Sequence, residues 1–592
     1  MDFLKDLNSE QAKAVTFGNG PLLILAGAGS GKTRALTYRA SFLISQKNIA
    51  PENILLVTFT NKAAAEMKKR MSRLITTNLP FAGTFHSFCV RILKKEGLAI
   101  NIQPNFVIYD SQDQLDTVKN AITELGLSNL KPGPVLGYIS QAKNELISEL
   151  EYPQYSRSEF GKAVAQVYLV YQKLLKKYNA LDFDDLLFKT VKLFKSDQQL
   201  LTQYQDQFRY ILVDEYQDTN KAQYELTKLL AKSHKNITVV GDCSQSIYSW
   251  RGADFRNILR LEEDYPNLTT ISLERNYRSH QIILDAAFAV ISKNKSHPIL
   301  KLWTEKKRGQ PITLYQASDE KDEARFIVRK IQDRNFSNFA VLYRTNAQSR
   351  VMEEAFLHAG IPYILVGGTR FYDRKEIKDC LAMLRLLINP LDMISYQRIE
   401  KIGKTRLKKF LEFSENLHID SLKTFDILNL SLDAINFLEM FDRENEEDLY
   451  RLENIKELFS VAQQFPKLSE FLENVSLIEK ESRPRGAKKD SNNAVTLMTL
   501  HAAKGLEFET IFMIGMEEGL FPHSRCTLDK SELEEERRLC YVGITRAREN
   551  LYLTHTISRL YFGRRNSNDA SRFIVDLPEQ IIKLEYASLL DN

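Results

Sequence analysis

Pro21-Leu22-Leu23-Ile24-Leu25-Ala26-Gly27-Ala28-Gly29-Ser30-Gly31-Lys32-Thr33 decides how the rest of the chain is read. The run Pro21 to Ala26 is apolar and of strand length, a glycine-rich turn follows, and Lys32 to Ser41 continue in helix-compatible residues. The segment therefore reads as strand, loop and helix. Ala26 to Thr33 has the P-loop form with alanine at the first glycine position. In that form the backbone N–H groups of Gly27, Ala28, Gly29, Ser30 and Gly31 can surround phosphate oxygens. Lys32 can reach the outer phosphates and Thr33 can hold Mg²⁺. GSGKT arises by chance in bland loops, but the strand before it and the helix after it favour a site for ATP and Mg²⁺. Alone it implies nucleotide binding and nothing more.

Working outward, short β-prone runs recur at Ile54 to Thr58, Tyr210 to Val213 and Ile237 to Val240, each ending in polar or glycine residues. Ligands of parallel α/β sheets sit at such strand ends, so one α/β lobe is implied. A second lobe is implied by Ile312 to Leu314, Phe339 to Leu342, Val495 to Leu500, Thr510 to Ile514 and Leu551 to Leu553. Residues 108–195 read as helices, with Val164, Val167, Tyr168, Tyr171, Leu174, Leu175 and Tyr178 on one face. Residues 392–488 read likewise, with Leu452, Ile455, Leu458, Phe459 and Ala462 at helical spacing. The basic stretch Ser482 to Lys489 reads as a linker. The expected organisation is a first lobe at 1–107 and 196–276 interrupted by 108–195, and a second at 277–391 and 489–592 interrupted by 392–488. No tandem repeat is present.

A chain of 592 residues is too long for one core, which fits this modular reading. The 81 Lys and Arg against 76 Asp and Glu leave a formal charge of only +5, so the placement of charge, not its average, must decide any binding to an anionic polymer. Cys89, Cys243, Cys380, Cys526 and Cys540 are scattered and show no zinc-site spacing, as expected of reduced cytosolic thiols. No apolar run approaches a membrane span and the N-terminus lacks a signal-peptide pattern, so a cytoplasmic location without membrane partners is expected.

The second half of a nucleotide site should be acidic and lie at another strand end, and Ile211-Leu212-Val213-Asp214-Glu215-Tyr216-Gln217-Asp218 supplies it. Asp214 can bind the magnesium, and Glu215 can orient or deprotonate the attacking water. On its own a carboxylate pair is more commonly a solvated strand end; following a P-loop, it is read as catalytic.

Further segments follow in order. Leu7-Asn8-Ser9-Glu10-Gln11, Thr58-Phe59-Thr60-Asn61-Lys62-Ala63-Ala64 and Gly83-Thr84-Phe85-His86-Ser87-Phe88 lie in the first half. Gly241-Asp242, Gln245-Ser246-Ile247-Tyr248-Ser249-Trp250-Arg251-Gly252 and Asn276-Tyr277-Arg278-Ser279 come next. His501-Ala502-Ala503-Lys504-Gly505-Leu506-Glu507-Phe508 and Tyr541-Val542-Gly543-Ile544-Thr545-Arg546-Ala547 complete the set. Together they resemble the superfamily 1 helicases of the UvrD, PcrA and Rep group, from near the N-terminus to about residue 578. The resemblance implies an α/β fold of two RecA-like P-loop lobes with parallel sheets, each interrupted by a mainly helical inserted domain. It implies an ATP-dependent enzyme that translocates 3′ to 5′ on single-stranded DNA and unwinds duplex, in DNA repair or replication. Its partners would be single strands and single/double-strand junctions. Protein partners are left open, with a monomer that a second copy or another protein could activate.

The same resemblance implies residue roles. Gln11 would read the adenine edge, Tyr277 would stack on the base, and Glu507, with Gly505 in the same motif, would approach the ribose. Gln245 would sense the terminal phosphate, and Arg34, Arg278 and Arg546 would contact phosphates. An arginine arriving from an opposite lobe would tie hydrolysis to lobe motion. Phe59, Phe85-His86, Tyr248 and Trp250-Arg251 place aromatics beside polar and basic residues, a pattern suited to stacking bases without reading sequence. By residue type alone a core position fits each aromatic equally well, except Trp250 in its polar SWRG setting. Asn61, Thr84 and His501 are assigned to the strand from the same motifs. Arg559-Leu560-Tyr561-Phe562-Gly563-Arg564-Arg565 puts aromatics in a basic turn where the family carries a strand-separating hairpin, so Tyr561 or Phe562 is the expected wedge.

Three departures limit the carry-over. Cys243-Ser244 stands where an acidic pair is common, the second insertion looks shorter than in longer relatives, and the chain stops at Asn592 without a docking extension. Two other readings stay open: a single-strand translocase that strips bound proteins with little unwinding alone, and a regulatory nucleotide switch.

Overall fold

The computed structural model describes residues 4–75, 81–331, 335–443, 445–481, 493–561 and 563–587. The chain divides into two compact units, one running to Arg278 and taking in Lys295–Glu305, the other comprising Ser279–Asn294 and everything from Lys306 onward.

The strands in chain order are β1 Leu22–Ala26, β2 Ile54–Thr58, β3 Ala82–Thr84, β4 Val107–Ile108, β5 Ala180–Leu181, β6 Tyr210–Val213, β7 Ile237–Gly241 and β8 Thr269–Leu273 in the first unit. In the second they are β9 Ile312–Ala317, β10 Phe339–Tyr343, β11 Tyr363–Val366, β12 Val495–Thr499, β13 Phe508–Met513, β14 Ala547–Thr556, β15 Arg559–Tyr561, β16 Arg564–Asn566 and β17 Ile582–Tyr586. The first unit's main sheet has the order β3-β2-β6-β7-β1-β8 and the second's β11-β12-β10-β13-β14-β9-β17. Every neighbouring pair within these two sheets is parallel. The chain is thus an α/β protein with two parallel sheets of the RecA-like kind.

Parallel strands are covered on both faces, which is why the deciding runs read as continuously apolar. In the first unit alternate residues sort into two cores, as a period of two requires. Leu23, Leu55, Val57, Ile211 and Val213 face one side; Leu22, Ile24, Ile54, Leu56 and Leu212 face the other. All nine runs read from the sequence lie on strands, within a few residues at each end. The strands not read, such as β3, β8 and β11, are edge strands: β3 is only three residues long and β8 and β11 are only half-covered, although the Tyr-Ile-Leu-Val run of β11 is as apolar as that of β6.

Helices Ser111–Glu124, Pro132–Asn144 and Glu159–Lys177 form a core of their own around Val118, Ile139, Val164, Tyr168 and Tyr171. Tyr178, expected on that apolar face, is 43% exposed because it is the C-cap, where the chain leaves the helix. Helix Phe183–Ser196, read with the insertion, packs Leu186, Leu187, Val191 and Phe194 into the core of the first sheet. The helices of 392–488 share a core with helix Lys375–Ile388: Ile455, Leu458, Phe459 and Ala462 meet Cys380, Leu381 and Leu384 there. Leu452 is half-buried. Ser482 to Lys489, expected as a linker, lie outside the described residues. Among the described residues no helix is long and apolar enough to cross a membrane.

Candidate functional site

Phosphate-binding geometry begins at the turn after β1. Gly29 (φ +68°) and Gly31 (φ +89°) adopt left-handed backbone, which side chains with a Cβ disfavour. A Cβ on Gly29 would also stand 2.6 Å from the Asn276 amide nitrogen. The turn is closed by Ser30, whose Oγ donates to Gly27 O at 2.8 Å. Helix Lys32–Ser45 follows with no side-chain cap. Its first N–H groups and positive dipole end suit an anion.

The acidic pair comes from the end of β6. Thr33 Oγ1 donates to Asp214 Oδ2 at 3.1 Å, and Lys32 Nζ lies 3.8 Å from Glu215 Oε1. The Walker lysine, the hydroxyl and both carboxylates therefore meet at one spot. Asp214 is 2% exposed. Burial first and the Glu215 charge second push its carboxyl up to about 7. A divalent cation would relieve both, and a carboxylate beside a threonine hydroxyl is the hard-oxygen donor set that Mg²⁺ prefers. Thr33 and Asp214 are the residues that would hold it. Glu215 has left-handed backbone (φ +52°), a conformation costly for a non-glycine residue and typical of functional turns.

Behind Glu215 runs a chain of hydrogen bonds. The Gln217 amide donates to Glu215 Oε2, and its Oε1 accepts from Asp242 N at 3.0 Å. Asp242 Oδ2 accepts in turn from Gln245 Nε2 at 2.7 Å. The fully buried Gln217 thus joins the carboxylate to the expected phosphate sensor. In the sequence Gln217 is one letter of the Asp214 to Asp218 motif, and no local signal distinguishes a glutamine that spans two strand ends. At the departure Cys243-Ser244, Cys243 is buried and the Ser244 hydroxyl bonds His297 Nε2 at 3.2 Å.

Asn276 docks on the phosphate loop by its side chain and Tyr277 by its main chain, while Arg278 is tied to Asn276. Asn276 Nδ2 donates to Ala28 O at 2.6 Å, Tyr277 N donates to Gly29 O at 3.0 Å, and Arg278 N donates to Asn276 Oδ1 at 2.8 Å. Tyr277 and Arg278, expected at the head of the second lobe, consequently belong to the first unit. Gln11, expected at the adenine edge, is 1% exposed and donates to Ser30 O at 2.9 Å, while Asn8 caps its helix and donates to Tyr277 Oη at 2.8 Å. Arg34 Nη2 donates to Asp6 O at 2.6 Å and its guanidinium lies 5.3 Å from the Tyr38 ring centre.

Within the second unit, Gly505 has φ +82° and Glu507 is ion-paired with Arg548. Arg546 is 2% exposed, with its guanidinium donating to Val542 O at 2.9 Å, Leu506 O at 3.3 Å and Thr545 Oγ1 at 3.0 Å. His501 is half-buried in the turn after β12.

The aromatic track is partly exposed. Trp250 is 50% exposed in the turn Ser249–Arg251, and its ring centre lies 6.4 Å from that of half-buried Tyr248. Phe59 is half-buried, edge-on to Phe85, while Asn61 is exposed at the start of its helix. Phe85, named with His86 in this track, is instead a core residue, 2% exposed among the apolar side chains of the first sheet. Thr84 is buried, and its side chain is used in the capping box of helix Phe85–Glu96. His86 meets Phe183, 49% exposed, edge-on at 5.8 Å, and burial lowers its pKa. Phe183 sits among the acidic residues of a helix start, not in a basic segment.

The expected hairpin exists as β15 and β16. Arg559, read as part of its basic turn, is buried and paired with Glu323 and Glu517 at 2.7 Å each, anchoring the hairpin's base. Arg564 and Arg565 are exposed. The side chains of Arg251 and Tyr561, and all of Phe562, lie outside the described residues.

Comparison with known proteins accords with this geometry. Residues 7–266 match the UvrD/REP helicase N-terminal domain, and 271–435 and 408–558 match the UvrD-like helicase C-terminal domain. The chain is 45% identical to the ATP-dependent DNA helicase PcrA of Bacillus subtilis (strain 168), over 98% of this chain and 87% of that protein. It is 44% identical to the protein of that name from Staphylococcus aureus (strain Mu50), with the same coverage. To that of Leuconostoc citreum it is 42% identical, over 98% and 86%. From the phosphate loop to the last motif, the chain belongs to the UvrD/REP helicase family.

Proposed function

We propose that this protein is an ATP-dependent DNA helicase that moves 3′ to 5′ along single-stranded DNA, opens duplex at junctions, and serves DNA repair or replication in the cytoplasm. The observation that carries the reading is the convergence of Lys32 and Thr33 with Asp214 and Glu215, wired through Gln217 and Asp242 to Gln245. Gln245 lies five residues before the exposed Trp250. The names of the relatives, ATP-dependent DNA helicase PcrA, support the same activity.

Magnesium bound by Thr33 and Asp214 would neutralise charge on the outer phosphates. Lys32 and the loop amides hold the triphosphate, with Tyr277 on the base and Gln11 beside it. Glu215 takes the proton of the attacking water as the new oxygen–phosphorus bond forms and the bond to ADP breaks. Gln245 reports loss of the terminal phosphate. Arg34, Arg278 and Arg546 add positive charge to the phosphates, and Gly505 and Glu507 serve the sugar. Phe59, Asn61, Thr84, His86, Tyr248, Trp250, Arg251 and His501 grip the strand, together with Phe183, and Tyr561 or Phe562 acts as the wedge. Stacking contributes about 1 to 3 kcal/mol per base without sequence preference, which suits a motor.

The test is ATPase activity with and without oligodeoxythymidine. Strong stimulation is expected; a rate indifferent to single strands would favour a nucleotide switch and refute the motor.

A further inference from the structure

Trp303 is one of two tryptophans in the chain, and no motif claims it. It lies in Lys295–Glu305, the segment that returns to the first unit. Trp303 N donates to Glu274 O at 3.1 Å and Asn276 N donates to Trp303 O at 2.7 Å, so the segment lies alongside Glu274–Asn276 like an added strand. Leu302 fills the space beside Gly27, where a Cβ would stand 2.3 Å from its Cδ2.

On the outer side of this pairing a guanidinium lies over two aromatic rings. Arg275 Cζ is 5.0 Å from the Tyr277 ring centre and 5.7 Å from that of Trp303. Glu305 forms an ion pair with Arg275. Tyr277 and Trp303 stay 41% and 45% exposed, an unusual state for large aromatics that are held on one side and anchored at the Tyr277 hydroxyl by Asn8.

We infer that Arg275 and Trp303 are positioning residues that brace Tyr277 as a stacking platform and set how tightly the enzyme holds a purine base. This rests on the assignment of Tyr277 to the base. A ring with a cation over one face has only the other to offer, so its orientation is fixed before nucleotide arrives and less freedom is lost on stacking. The cation also draws electron density from the ring, which favours contact with an electron-rich purine face. The wider purine gains more from this than a pyrimidine does.

The test uses the full chain and competition against a fluorescent ADP analogue, comparing ADP, CDP and inorganic tripolyphosphate. Arg275→Ala, Trp303→Ala and the milder Trp303→Phe are measured beside Tyr277→Ala. For Arg275→Ala and Trp303→Ala, ADP affinity should fall about three- to tenfold, the preference for ADP over CDP should narrow, and tripolyphosphate affinity should stay within about twofold. Trp303→Phe should retain most of the ADP affinity. Equal losses for ADP and tripolyphosphate would reduce the brace to a structural role and overturn the proposal. So would unchanged ADP affinity in both alanine variants while Tyr277→Ala weakens it. If Tyr277→Ala itself leaves ADP affinity unchanged, the base assignment fails instead. In a Trp250→Phe background Trp303 is the sole tryptophan, and its emission should change with ADP and not with tripolyphosphate.

Discussion

Replacing Asn276 by alanine tests the phosphate loop more sharply than any change to the loop itself. Asn276 is 2% exposed, and its amide joins two backbone groups: it donates to Ala28 O at 2.6 Å and accepts from Arg278 N at 2.8 Å. Each bond contributes about 1 kcal/mol net, and a buried partner left unsatisfied costs about 1 to 3 kcal/mol. For the two partners, taken in the lower part of that range because each can recover some bonding, the total is about 2 to 4 kcal/mol, shared between folding stability and the shape of the loop. If half of it falls on the nucleotide-ready loop, ATP affinity drops about five- to thirtyfold. The assay is equilibrium ATP binding in a Glu215→Gln background, which prevents turnover, beside a thermal melt and single-strand binding. Asn276→Ala should weaken ATP by that factor and leave oligodeoxythymidine affinity within about twofold. Asn276→Asp should be worse still. It keeps the acceptor for Arg278 N but sets a negative charge where phosphate must bind. A folded Asn276→Ala protein with unaltered ATP affinity would refute the claim that this side chain shapes the site.

Three further outcomes are expected. Glu215→Gln should lower kcat for single-strand-stimulated ATPase by about 10² to 10⁴ while ATP still binds, as measured by steady-state turnover and nucleotide titration. Trp250→Ala should weaken oligodeoxythymidine by about 1 to 3 kcal/mol in fluorescence anisotropy and leave ATP affinity unchanged. Lys143→Met removes the partner of Asp182 and Asp185, at 2.5 and 3.1 Å in a fully buried cluster, leaving Asp182 without that cation and Asp185 with only Lys189 at 4.0 Å. Denaturant unfolding should show a loss of about 3 to 5 kcal/mol.

Much of this was legible locally. Leu22 to Ala26 and Tyr210 to Val213 are apolar without interruption, as strands covered on both faces are. The Tyr-Ile-Leu-Val of Tyr210 to Val213 recurs at Tyr363 to Val366 on an edge strand, so such a run marks a strand and not its place in the sheet. GSGKT and Asp214-Glu215 announce their chemistry because phosphate and magnesium demand those atoms at strand ends. The residues that were not legible depend on partners far away in the chain. Gln217 matters because the ends of β6 and β7 lie side by side, and Asn276 because it reaches back to Ala28. Trp303 and Leu302 look like loop residues until the chain returns to the phosphate turn. Phe85 and Arg559 failed in the opposite sense: an aromatic or an arginine in a motif carries no sign of whether it faces a core or a ligand.

The central claim is directional movement driven by ATP, and strand displacement tests it most directly. A labelled strand annealed beside either a 3′ or a 5′ single-stranded tail is incubated with the protein, ATP and magnesium. Release from the 3′-tailed duplex, abolished by Lys32→Ala, with little from the 5′-tailed one, is the predicted result. Release only from the 5′-tailed duplex, or release independent of ATP, would contradict it.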